Sequence, residues 1–129
     1  MVEFILISED FPAKELNEQL GIENCEIDHR GDVKFFGQDK QHKRIETHTS
    51  ITYSTGYIET NEVSVPLQQM YDMLISSKRL IREYIEKYKI TAKFWITLDL
   101  TESPVIEISK EFIELASYLH SFIEFDIII

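Results

Sequence analysis

The pattern of apolar and polar positions predicts that the chain begins with a strand followed by a short helix. Residues 2–8 are β-rich and apolar at nearly every position, which is typical of a strand buried on both faces. Asp10 and Pro12 then place an acid and a proline where a helix begins. Gly21 is the residue type that ends a helix, because it adopts a left-handed conformation at little cost.

The middle of the chain predicts two antiparallel strands and a long helical segment. Residues 27–36 and 44–59 alternate between apolar and polar types, and a polar loop over residues 37–43 joins them. Pro66 opens the longest stretch with helical spacing of apolar residues. Ser76 and Ser77 interrupt this stretch, and since serine favours helix caps, they leave open whether it forms one helix or two.

The last third of the chain predicts a strand, a helix and a final strand. Residues 92–100 are β-rich and hold the only tryptophan, Trp95, and Ser109 is a good N-cap for the helix that follows. Residues 122–129 alternate again, with Glu124 and Asp126 on one face. Because an exposed apolar edge promotes aggregation, the three terminal isoleucines predict a strand docked inside the sheet.

These elements follow the order β-α-β-β-α(α)-β-α-β. This order predicts an α+β fold with a mixed, mainly antiparallel sheet and helices packed on one face. No stretch rich in proline, glycine or serine separates two parts of the chain, and no repeat of fixed period is present. We therefore expect a single domain over residues 1–129.

Acidic residues dominate the two ends of the chain. The net charge is −10, and residues 1–32 hold nine acids and two bases while residues 99–129 hold seven acids and one base. Nucleic acid is not expected as a partner, because phosphate binding needs clustered lysine and arginine. The two ends are expected to build an acidic face.

Cysteine count and apolar run length predict the compartment. One cysteine cannot form an internal disulfide, and the start of the sequence lacks the features of a signal peptide. The longest apolar runs are far shorter than the ~20 residues that span a bilayer. We expect a cytoplasmic protein that does not bind a membrane.

Several stretches spread over most of the chain match one known sequence pattern: Phe4-Ile5-Leu6-Ile7, Glu9-Asp10-Phe11-Pro12, Leu16, Leu20-Gly21-Ile22, Arg30-Gly31-Asp32 and the ending from Glu111 to Ile129. With these stretches the sequence resembles a small bacterial family, domain of unknown function 4279. Where that family usually has a tryptophan in its middle strands, this chain has Ile51 and Tyr53. The resemblance implies a fold and a bacterial source, and it implies no established activity.

No arrangement of reactive side chains predicts catalysis. The histidines match no zinc-binding spacing; they are His29, His42, His48 and His120. Cys25 lies among acids, which disfavour the thiolate that a nucleophile needs. Four isolated glycines provide no phosphate-binding loop. The prediction is therefore a protein that is not an enzyme, with no catalytic residues, no cofactor and no metal site.

One group of residues is a candidate binding rim. Glu9 and Asp10 follow the first strand, and Arg30 and Asp32 lie on a later connection, so acids and a cation would converge if the connections meet. A simpler interpretation is favoured at this point. In it, Asp10 complements the helix dipole, Gly31 supplies a turn, and Arg30 pairs with a nearby acid.

Two hypotheses for function remain open. The leading one is a non-enzymatic protein-interaction module that recognises a basic protein through its acidic face, because such charge steers association. An immunity-type protein that blocks a basic nuclease toxin is one concrete version. The alternative is a small-ligand or regulatory binding domain that uses the rim.

Overall fold

Seven strands and four α-helices follow one another in the computed structural model, which describes residues 1–129. The strands are β1 (Val2–Ser8), β2 (Cys25–Asp28), β3 (Val33–Phe36), β4 (His42–Ile45), β5 (Thr49–Ser54), β6 (Thr91–Asp99) and β7 (Phe122–Ile128). The helices are α1 (Ala13–Leu20), α2 (Ser64–Leu74), α3 (Lys78–Tyr88) and α4 (Lys110–Tyr118). Short 3₁₀ turns lie at Gln38–Lys40, Ile75–Ser77 and Leu100–Glu102.

Five of the strands form one mixed sheet in the order β2-β5-β1-β6-β7. Every neighbouring pair is antiparallel except β6 and β7, which run parallel because α4 carries the chain back between them. Strands β3 and β4 form a separate antiparallel hairpin. The predicted α+β class with a mainly antiparallel sheet is confirmed.

The structure has four short strands, β2 to β5, where the sequence predicted two longer ones. A turn at residues 29–32 breaks the first one, since Gly31 has φ +92° and the Asp32 carboxylate accepts a hydrogen bond from the His29 amide at 2.9 Å. Glu46 closes the base of the hairpin by backbone hydrogen bonds to Gly31 and Asp32, both at 2.8 Å. The predicted continuous strand from residue 44 is therefore wrong, and its first part belongs to the projecting hairpin.

Local signals for helix ends are confirmed. Gly21 ends α1 with φ 65°, and its amide donates to the Asn17 carbonyl. The Ser109 hydroxyl caps α4 by accepting a hydrogen bond from the Phe112 amide at 3.1 Å. The 3₁₀ turn at Ile75–Ser77 separates α2 from α3, which decides for two helices.

The hydrophobic core lies between the sheet and the helices. Side chains alternate along β1 and β6 between fully buried positions on this side and half-buried positions on the other side. We call the other side the open face. Strand β1 is central but is not buried on both faces as predicted, because no helix covers the open face.

The final strand corrects a second prediction. β7 lies at the edge of the sheet and pairs only with β6, so it is not docked inside the sheet. Most of its apolar side chains are left exposed, with Ile127 53% and Ile128 50% accessible, while Ile123 packs against the core. The α4 crossover explains this position, because it returns the chain on the outer side of β6.

Candidate functional site

Three of the four predicted rim residues line one shallow cavity of about 530 Å³ at one end of the sheet. Glu9 and Asp10 follow β1, and Arg30 follows β2. Both strands run antiparallel to β5, so they end at the same side of the sheet. Asp32 does not line the cavity, because its carboxylate is turned to the His29 amide.

A buried threonine, Thr49, links the segment that follows β1 to the segment that follows β2. The Thr49 hydroxyl donates a hydrogen bond to Asp10 Oδ1 at 2.9 Å and accepts one from the Arg30 amide at 3.1 Å. Arg30 makes no ion pair within 4 Å, so its expected pairing with a nearby acid is wrong. Pro12 occupies the N-cap position of α1, and Asp10 Oδ1 accepts the hydrogen bond from the Thr49 hydroxyl.

The cavity also contains two lysines that the sequence did not assign to it. Lys87 and Lys89 at the end of α3 line it together with Tyr88. They precede β6, whose first residues lie beside the end of β1 in the antiparallel register. The rim therefore holds three cations and two carboxylates, and it is not an acidic surface.

The acidic surface lies instead on the open face of the sheet. The strand register places six carboxylates there and one lysine, Lys93. The carboxylates are Glu3, Glu26, Asp28, Asp99, Glu124 and Asp126. Strands from both ends of the chain build this face, as the charge distribution predicts.

A row across the open face surrounds the single tryptophan. The register places Trp95 between Glu3 of β1 and Glu124 of β7. Lys93 Nζ lies 3.7 Å from Glu124 Oε1 and 5.9 Å from the centre of the Trp95 ring. Because Trp95 lies beside the edge strand β7, its fluorescence can be used to follow binding at that edge.

Two other carboxylates of the open face, Asp28 and Asp99, already have partners. Asp28 forms an ion pair with Lys34 of the hairpin. Asp99 Oδ1 accepts hydrogen bonds from the Thr101 hydroxyl at 2.6 Å and the Thr101 amide at 2.9 Å, and these bonds lower the pKa of Asp99. Asp126 on β7 has no ion-pair partner.

The edge of β7 combines unpaired backbone groups with exposed apolar and acidic side chains. One side of the strand carries Phe125 and Ile127, which are 42% and 53% exposed. The other carries Glu124 and Asp126. An edge of this kind can pair with an added strand. The alternation of residues 122–129 was visible in the sequence, but their place at the edge was not.

No group of three histidine, cysteine or acidic side chains is arranged to hold a metal ion. Cys25 is a half-buried free thiol that packs against the core. None of the helices has the length and apolar character needed to cross a bilayer.

Comparison with known proteins gives one match. No curated protein and no solved structure matches the chain significantly. The profile of one protein family, described as a domain of unknown function, matches residues 1–129, which is the whole length of the chain. The sequence resemblance is thereby confirmed: the chain belongs to the family named domain of unknown function 4279, DUF4279.

Proposed function

We propose that this protein is a non-enzymatic protein-interaction module that binds a basic, extended segment of a partner protein along β7. The observation that carries the proposal is the unpaired β7 edge, with exposed apolar side chains and two carboxylates, beside an open face of six carboxylates and one lysine. The immunity-type version is an inhibitor that occupies the basic nucleic-acid site of a nuclease toxin.

Strand addition explains how such an edge recognises a partner. An extended segment adds to a sheet edge through main-chain hydrogen bonds, and alternate side chains supply the specificity. On β7, one side offers Phe125 and Ile127 and the other offers Glu124 and Asp126. A segment in which basic and apolar residues alternate matches both sides at once, and the acidic face speeds its association.

The charge of β7 disfavours a second copy of the same strand as the occupant. In antiparallel self-pairing centred on Phe125, Glu124 of one copy lies opposite Asp126 of the other. Like charges directly opposite each other destabilise a strand pair. The favoured partner is therefore a basic segment of another protein.

Trp95 fluorescence provides a direct test of this proposal. A short peptide in which lysine alternates with valine is titrated into the protein at low ionic strength, and a glutamate-valine peptide serves as the comparison. We expect saturable binding of the lysine peptide only. Reversing the charge of β7 with Glu124→Lys and Asp126→Lys should weaken binding about tenfold or more, which corresponds to ~1.4 kcal/mol.

The matched control places the same charge change elsewhere. Glu18 and Glu23 are exposed near the end of α1, away from the open face, and Glu18→Lys with Glu23→Lys should leave binding close to wild type. Equal weakening by both pairs of substitutions would reduce the effect to net charge and overturn the proposal. Absence of binding to the wild type, or association of the protein with itself, would overturn it as well.

The rim cavity supports the alternative, a small-ligand binding domain. Arg30, Lys87 and Lys89 converge there from two parts of the chain. Their three positive charges outnumber the two negative charges of Glu9 and Asp10. One oxygen of Asp10 is already bound by the Thr49 hydroxyl. Cations at the mouth of a cavity suit an anionic ligand that carries a phosphate or carboxylate group.

Substitution of Arg30 tests this alternative. Inorganic phosphate should raise the melting temperature of the wild type more than that of Arg30→Ala, with chloride at equal ionic strength as the control. Arg30 is exposed, so its substitution should change the unliganded stability by no more than about 0.5 kcal/mol. Equal thermal shifts for the two proteins would exclude the rim as an anion site.

A further inference from the structure

A second cavity lies at the opposite end of the sheet from the rim. It has a volume of about 270 Å³, roughly the space of nine waters, which is slightly below the range of about 300–1,000 Å³ typical of ligand pockets. Its floor includes the buried side chains of Ile96, Leu98 and Val63. The cavity is therefore large enough for a small organic molecule and offers it an apolar surface.

Two chain connections form the walls of this cavity and are held to each other. The Val105 amide donates to the Asn61 carbonyl at 2.7 Å, and the Val63 amide donates to the Val105 carbonyl at 3.0 Å. The Tyr57 hydroxyl donates to Glu102 Oε1 at 3.2 Å, which joins the same two connections at the surface. These bonds pre-form the cavity, so a ligand does not have to order its walls.

The charged groups at the cavity are mainly acidic. Glu62, Asp99 and Glu102 line it, whereas no lysine, arginine or histidine side chain does. Met1 also lies at the cavity, and its single amino group, whose pKa burial lowers, could offset no more than one of the three carboxylates.

The environment of Asp99 favours its charged form. The Thr101 hydroxyl and amide bind Asp99 and lower its pKa. The hydrogen bond from the Tyr57 hydroxyl to Glu102 raises the pKa of Tyr57. The tyrosine therefore keeps its proton and donates a hydrogen bond to the carboxylate. This second cavity thus combines an apolar floor with three carboxylates around it.

We infer that this cavity binds a small organic ammonium compound, with the apolar part of the ligand against Ile96 and Leu98 and its ammonium group among Glu62, Asp99 and Glu102. Burial of apolar surface favours the hydrocarbon part. The carboxylates supply charge-assisted hydrogen bonds to the ammonium group, which are stronger than neutral ones. Ile128 at the end of β7 also lines the cavity, so this site adjoins the edge proposed to dock a partner segment, whereas Glu124 and Asp126 lie outside it.

Calorimetric titration with three compounds of similar shape tests the inference. The probes are 2-phenylethylammonium, neutral 2-phenylethanol and anionic 3-phenylpropionate. The ammonium compound should bind the wild type, the alcohol should bind at least about tenfold more weakly, and the anion should not bind. Absence of binding by the ammonium compound, or equal binding by the alcohol, would overturn the inference.

The double variant Asp99→Asn with Glu102→Gln removes two charges and keeps an oxygen that accepts the hydrogen bonds from Thr101 and Tyr57. It should bind the ammonium compound about tenfold or more weakly, with little change in melting temperature. Glu18→Gln with Glu23→Gln removes the same charge far from the cavity and should bind as the wild type does. Unchanged affinity in the first variant would overturn the inference. Glu124 and Asp126 do not line the cavity, so the peptide titration with Glu124→Lys and Asp126→Lys tests the β7 proposal separately.

Discussion

Replacing Phe94 by alanine should remove about 3–5 kcal/mol from the free energy of unfolding. Phe94 lies on β6 with no exposed surface, and its ring centre is 4.7 Å from that of Phe4 and 4.8 Å from that of Phe112. The three rings join the centre of the sheet to α4. Alanine leaves a cavity there, because close-packed neighbours relax only in part. Urea unfolding, followed by the fluorescence of Trp95, measures the change.

Phe122 provides the matched control for this substitution. It lies on the adjacent strand, β7, and its side chain is 60% exposed. Phe122→Ala should therefore change the free energy of unfolding by about 0.5 kcal/mol or less. A loss below about 1 kcal/mol for Phe94→Ala, or similar losses for both variants, would contradict the packing described for the core.

Replacing Gly37 by alanine should open the β3–β4 hairpin while the main sheet remains folded. Gly37 has φ 88° and ψ 176°, a conformation open essentially to glycine alone. A Cβ atom at this position would lie 2.9 Å from Cδ2 of His42, whose ring stacks on Phe36. The strain is expected to cost about 1–3 kcal/mol, and a two-stranded hairpin has little stability of its own to offset it.

Hydrogen exchange of the backbone amides measures this local opening. Protection should fall within β3 and β4 and stay unchanged within β1 and β6. Gly21→Ala is the control, because Gly21 also has a positive φ, 65°, but its Cβ would meet no atom within 4 Å and it lies far from the hairpin. Full protection of the hairpin amides in Gly37→Ala would show that this turn tolerates a side chain.

The parts of the fold that the sequence predicted are those fixed by neighbouring residues. Gly21 ends α1 and Ser109 caps α4 because each depends on backbone groups within a few positions. The α+β class followed from the alternation of strand and helix patterns. The turn at Gly31 was expected, but the continuous strand over residues 27–36 was wrong, since the residues on both sides of this turn continue a strand-like pattern.

The parts that were missed depend on the order of strands in the sheet. The terminal isoleucines indicated a docked strand, but the α4 crossover places Ile127 and Ile128 at an edge. The same strand order explains why the sequence predicted three residues of the rim cavity but not its two lysines. Residues that follow two parallel strands meet at one end of the sheet, whereas Lys87 and Lys89 reach it only through the pairing of β6 with β1. The apolar and polar pattern of a single sequence does not reveal which strands pair.

The central place of β1 has a consequence for the order of events during folding. This strand precedes the other six strands along the chain, yet its register joins Glu3 to Ser54 of β5 and to Trp95 of β6. Both partners are distant along the chain, and contacts between distant residues slow folding because long loops must close first. During translation β1 therefore has no neighbouring strand until β5 is made, and its other edge stays unpaired until β6 has left the ribosome.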